Sequence, residues 1–123
     1  MGRIVRDIEI EGRSLKALFD TGSVRSYITA GFCPGPRHRV PPIIVGLGGV
    51  ERRLVERCVV TATIEGLPFD MSAFVVDELG EIEEGRLDAI VGVTTMEEWY
   101  MKPDPHAGTL DLTQLRKREF TEY

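Results

Sequence analysis

The sequence predicts a mainly β protein carrying one short helix near its C-terminus. Three observations predict it. Apolar residues recur at a spacing of two in paired runs joined by Gly-containing turns, which is the signature of hairpins. β-branched residues dominate the longest of those runs. Only residues 94–101 show a helix-start spacing, with a Thr three places before a Glu in two overlapping registers. The 123 residues fit one domain, residues 1–123, large enough for a real core and too small for two independent ones.

Residues 3–11 alternate, with Ile4, Ile8 and Ile10 set among charged positions, and Glu11-Gly12-Arg13 turns the chain into Ser14-Leu15-Lys16-Ala17-Leu18-Phe19. This is a β-hairpin whose second strand delivers Asp20. Residues 26–30 read as a short strand or turn, and residues 31–42, rich in Gly and Pro, as loop. Ile43-Ile44-Val45-Gly46-Leu47-Gly48-Gly49-Val50 then approaches a Gly-rich tip, and residues 51–57 leave it as a second extended run, so a long hairpin is expected. A phosphate loop is a poor reading of these glycines, because the Gly-Lys-Ser/Thr ending is absent. Residues 58–64 and 69–76, separated by Glu65-Gly66-Leu67-Pro68, form another hairpin whose continuous apolar part belongs to the core. Residues 77–86 are acidic and read as a solvated loop. The helix over 94–101 is stopped by Pro103-Asp104-Pro105, and residues 108–112 alternate as a final strand. The tail, residues 113–123, reads as a strand continuing into a subunit contact or as a frayed end.

Composition excludes several function classes. A hydrophobic share of 42% with 28% charged residues is that of an ordinary soluble globular protein. The net charge of −5 argues against general nucleic-acid binding, which needs a basic face. No apolar stretch approaches a membrane span, and Met1-Gly2-Arg3-Ile4 opens a strand pattern without a signal-peptide core, so no membrane partner and a cytoplasmic location are expected. Cys33 and Cys58 are too few for a disulfide framework and too far apart for a zinc motif; free thiols are the preferred reading. A Cys33–His38 nucleophile pair lacks an orienting acid. Neither metal nor cofactor is expected.

The stretch that carries chemistry is Ala17-Leu18-Phe19-Asp20-Thr21-Gly22-Ser23-Val24. An apolar strand ends on one carboxylate, and Gly22 lets amide N–H groups approach it while the Thr21 and Ser23 hydroxyls can hydrogen-bond around it. Phe19-Asp20-Thr21-Gly22-Ser23, with Ser26 and Ile28 following, resembles the active-site loop of aspartic peptidases, in particular the single-domain, retropepsin-like branch. A second match lies in Ala89-Ile90-Val91-Gly92, where two apolar residues and a Gly close a strand before a short helix and a last strand, Gly108-Thr109-Leu110-Asp111-Leu112. Many family members carry an acidic residue two places after this Gly; this chain has Thr94.

The resemblance implies a retropepsin-like, closed β-barrel-type acid protease fold with one short helix near the C-terminus and the Gly48-Gly49 hairpin as a flap over bound peptide. It implies that Asp20 is catalytic and that Thr21 hydrogen-bonds across a dimer. Gly22 and Ser23 would bond the Asp20 carboxylate, and Leu47, Gly48 and Gly49 would contact substrate from the flap. Val24, Leu47, Val50 and Ile90 supply apolar pocket walls. Hydrolysis by carboxylates needs one to take a proton from water and another to donate one, yet none of Asp70, Asp77, Asp88, Asp104 and Asp111 is followed by Thr-Gly or Ser-Gly. A homodimer resolves the shortage by facing Asp20 with its symmetry mate. The expected partners are therefore a second copy and an extended peptide or protein substrate. The rival reading is a module of the same fold that binds peptide or assembles without hydrolysis.

Overall fold

Strand pairing begins where the alternation predicts it. The structure is a computed structural model that describes residues 3–123; Met1 and Gly2, read above as the lead-in to the first strand, lie outside the described residues. β1 (Arg3–Ile10) and β2 (Arg13–Asp20) form the expected antiparallel hairpin, with Arg3 opposite Asp20 and Ile10 opposite Arg13. β3 (Ser26–Thr29) is followed by one 3-10 turn at Ala30–Phe32. β4 (His38–Leu47) and β5 (Val50–Ile64) make the long hairpin, and β6 (Leu67–Val76) returns along β5. The acidic segment contains a small ladder of β7 (Glu81–Ile82) and β8 (Gly85–Arg86). β9 (Ala89–Val91), α1 (Val93–Glu98), a hairpin of β10 (Lys102–Asp104) with β11 (Thr109–Asp111), and α2 (Thr113–Lys117) complete the chain.

Seven strands join in the order β1-β2-β9-β3-β6-β5-β4, and a further pairing of Glu9 with Thr63 ties β1 to β5, closing the sheet on itself. The insertion of β9 is what positions the Asp20 loop. It runs parallel to β2, with Leu18 opposite Ile90 and Phe19 opposite Val91, and antiparallel to β3, with Tyr27 opposite Ile90. Asp88 fastens this junction: its carboxylate Oδ2 accepts from the Lys16 amide at 2.9 Å, and its carbonyl accepts from the Thr29 amide at 3.0 Å.

Because side chains alternate across a strand, this three-strand junction sorts its residues into two cores. Phe19, Ile28 and Val91 enter a large buried cluster with Ile8, Val60 and Met71. Leu18, Tyr27 and Ile90 face the other way, into a smaller cluster with Leu54, Phe74 and Leu87. Asp20 shares the parity of Leu18. The smaller cluster therefore forms the floor on which the carboxylate stands.

Four expectations are corrected. Residues 38–42, read as loop, belong to β4. Pro41 and Pro42 are tolerated there because β4 is the edge strand of the sheet, and a register shift between Arg39 and Ile43 accommodates them. The acidic loop is not wholly solvated, since Leu79 and Ile82 pack against the smaller core. The helix-start spacing at Thr94 is unused: α1 begins one residue earlier behind Gly92, without a side-chain cap, and ends at Glu98. The tail is not a strand, and its first part, residues 113–117, is not frayed. It forms a second helix, α2, because Leu115 is fully buried and the Asp111 carboxylate accepts from the Thr113 amide at 2.9 Å. Beyond α2, Arg118 stacks on Trp99 at 5.1 Å and donates to the Pro68 carbonyl, and Tyr100 donates to the Thr121 carbonyl at 2.7 Å. A hydrogen bond from the Thr113 side chain, and then the one from its amide, hold the Asp111 carboxyl below its ordinary value.

Candidate active site

Asp20 stands at the end of β2, half-buried, at the head of a tight turn closed by the Ser23 amide donating to the Asp20 carbonyl at 3.1 Å. The Gly22 amide donates to carboxylate Oδ1 at 2.8 Å, as the loop pattern predicts. Ser23 does not: its hydroxyl turns away and donates to the Arg25 carbonyl at 2.8 Å, so its part is to shape the loop. Thr21, Gly22 and Val24 are exposed in the single chain, Val24 at 62%.

The loop is clamped from behind. The Val93 amide donates to the Ser23 carbonyl at 2.7 Å and the Thr94 amide to the Val24 carbonyl at 3.2 Å. Beneath them the Gly92 amide donates to the Ser26 hydroxyl at 3.0 Å, and that hydroxyl shares a 2.8 Å hydrogen bond with Thr95 Oγ1. Ser26 and Thr95 are the two buried polar residues among the described residues, and they satisfy each other. Thr94, which stands where the resemblance would place an acidic residue, tethers the loop through its main-chain amide.

A cleft of about 710 Å³ opens above Asp20. Its walls include Gly22, Ser23, Val24, Leu47, Gly48, Val50 and Ile90, which brings together most of the residues picked from the sequence. Gly49 sits at the hairpin tip beside them without lining the cleft. Gly48 and Gly49 have φ of 59° and 81°, the pair of positive values that a two-residue type I′ turn demands and that Gly adopts without strain. Sequence reading missed Arg3, Arg25, Arg52, Tyr27 and Leu87, which also line the cleft. Burial pushes the Tyr27 phenol above its ordinary value, against the pull of the Arg25 guanidinium hydrogen-bonded to it. Asp20 is the only Asp of the lining; Asp88, Asp104 and Asp111 are engaged elsewhere in structural hydrogen bonds. Among the described residues no group of three or more His, Cys, Asp or Glu is gathered to hold a metal ion.

No protein-family model and no curated protein sequence matches this chain. Solved structures do. The EIAV protease in complex with an inhibitor superposes with a TM-score of 0.59 at 21% identity, over 83% of this chain and 92% of that one. The retroviral protease-like domain of Ddi1 from Leishmania major gives a TM-score of 0.59 at 16% identity, over 90% of this chain and 88% of the other. The fold is retropepsin-like. A foamy viral protease-reverse transcriptase bound to an RNA/DNA hybrid also matches, at a TM-score of 0.59 and 12% identity; 84% of this chain is covered, but it spans only 12% of that longer protein. The tip of the β4–β5 hairpin lines the cleft, and β9 with α1 braces the Asp20 loop.

Cys33 and Cys58 are both free, as expected, and lie together on the far side of the sheet in the larger core. Burial and then a hydrogen bond with Cys33 push the Cys58 thiol up to about 12. Its folded value exceeds the ordinary 9.0, so the stability it contributes is complete below pH 9 and is lost as pH rises towards 12. In the native protein at pH 8, a disulfide exchange reagent should therefore modify only the half-buried Cys33, with Cys58 reacting after unfolding in guanidinium. Equal native reaction rates for both thiols, followed by mass spectrometry, would contradict this.

Proposed function

We propose that this chain is an aspartic endopeptidase that works as a homodimer, residues 1–123 forming one peptidase domain in each copy. The observation that carries the reading is the Asp20 carboxylate at the cleft floor, oriented by the Gly22 amide at 2.8 Å, with no second Asp in the lining to complete the chemistry. A copy related by a twofold axis through the loop supplies it. Two carboxylates at contact distance do not both ionise, so the pair holds one proton between them, as is established for aspartic proteases generally. The ionised member takes a proton from a bridging water, whose oxygen attacks the peptide carbonyl. The protonated member donates to the carbonyl oxygen, and collapse of the tetrahedral intermediate passes a proton to the leaving amine.

Two of the exposed apolar residues fit this assembly. Val24 beside Asp20 is 62% exposed and Val50 at the flap tip 51%, and both lie on the cleft side, where a partner and a bound peptide would cover them. Because residues 113–117 fold into α2, the contact runs through the Asp20 loops and flap tips.

Dilution tests the reading. Hydrolysis of an unstructured peptide pool should lose specific activity as the chain is diluted through its dimer dissociation constant, measured in parallel by analytical ultracentrifugation. Full activity per chain in a monomeric sample would sink the homodimer mechanism. A stable dimer that binds peptides and leaves them uncut would assign the fold here to a binding module.

A further inference from the structure

The flap carries one charge where the rest of its inner face is apolar. The register sets Leu47 opposite Val50, Val45 opposite Arg52 and Ile43 opposite Leu54, so these six side chains share a face. Ile43, Val45 and Leu47 pack against the smaller core, which includes Leu54, and Val50 and Arg52 line the cleft. Arg52 Nε is buried with no hydrogen-bond partner, and Arg52 forms no ion pair with any described residue. It also borders a neighbouring hollow holding Glu51, Glu56 and Asp77, none of which pairs with it.

Two more guanidinium groups line the same cleft: Arg3, opposite Asp20 in the β1–β2 register, and Arg25 in the loop that follows Asp20. Besides Asp20 the lining carboxylates are Glu78 and Glu81, and Glu78 is drawn to Arg86 at 3.9 Å. The lining thus balances three guanidinium groups against three carboxylates, in a chain whose net charge is −5. A guanidinium covered by a closing flap without a partner carries a desolvation penalty, and a carboxylate from the occupant removes it through two parallel hydrogen bonds.

We propose that the cleft selects acidic peptides: a Glu or Asp side chain of the extended substrate docks on Arg52, the lining guanidinium group left without a hydrogen-bond partner at Nε. This substrate class rests on the peptidase reading of the same site. Binding is therefore measured apart from hydrolysis, on the Asp20→Asn chain, by fluorescence anisotropy of labelled peptides in which one Gln is replaced by Glu at each position in turn. Glu at one register should raise affinity about tenfold over Gln, with the gain shrinking as salt is added. Arg52→Gln should abolish the difference in affinity between the Glu and the Gln peptide. Arg52→Lys, which keeps the charge and loses the planar fork, should retain part of it, and decides the matter should Arg52→Gln fail to fold.

Equal affinity for Glu and Gln peptides at every register, a preference that survives Arg52→Gln, or no peptide binding at all overturns the proposal. Hydrolysis of the Gln peptide by the unaltered chain separates the two ideas. Cleavage without acidic preference removes the selectivity and keeps the peptidase; acidic preference without cleavage does the reverse.

Discussion

Asp20→Asn should lower peptide hydrolysis by roughly three to four orders of magnitude while leaving the chain folded and dimeric. The two halves of that result have separate causes. Asn keeps a side-chain oxygen in the place of Oδ1, so the 2.8 Å bond from the Gly22 amide survives, and the turn closed by the Ser23 amide is untouched. What disappears is the proton chemistry, because a carboxamide at neutral or acid pH neither takes a proton from water nor gives one to a carbonyl oxygen. In a homodimer one substitution removes both carboxylates. No other Asp of the chain lines the cleft, so there is no neighbour to stand in. Initial rates on an unstructured peptide pool, with thermal melting and sedimentation of the same sample, check all three parts. Activity within tenfold of the unaltered chain would refute Asp20 as the catalytic group.

How much of this was legible in the sequence follows the distance over which each feature is built. The Asp20 loop was legible because strand, carboxylate and Gly22 are neighbours in the chain and their hydrogen bonds are local. The hairpins were legible from period-two alternation. The clamp behind the loop was only half visible, since Gly92 could be picked out but the hydroxyl pair of Ser26 and Thr95 joins positions 69 apart. The polar rim of the cleft was missed for another reason. A Gly48-Gly49 turn pairs Leu47 with Val50, and two further places along Arg52 falls on the inner face, but a charged residue in an extended run carries no local sign that it faces inward. Misreadings at the ends came from weak local rules overridden by packing. Pro41 and Pro42 looked like loop until β4 proved to be an edge, and a five-residue helix such as α2 exists only because Leu115 has a core to enter.

Gly92→Ala should destabilise the protein by about 3 kcal/mol or more and disable the site along with the fold. The backbone at Gly92 is extended, with φ −91° and ψ 177°, so alanine suffers no conformational penalty there. The obstacle is space. A Cβ built on this residue lies 2.2 Å from the Arg25 carbonyl oxygen, 2.6 Å from its carbon and 2.9 Å from the Ser23 carbonyl oxygen. All three are main-chain atoms of the Asp20 loop, and none can swing aside as a side-chain tip would. Relief requires α1 and the loop to separate, which stretches the bonds from the Gly92, Val93 and Thr94 amides at about 1 kcal/mol each. Against a total stability of roughly 5–15 kcal/mol that loss is large, and it should lower the melting temperature by about 10 °C. Gly31→Ala is the matched control, because a Cβ there meets nothing within 4 Å. It should melt with the unaltered chain. Equal melting temperatures for both alanine variants would show that the loop is not clamped against α1 in solution, and the orientation of Asp20 would then need another source.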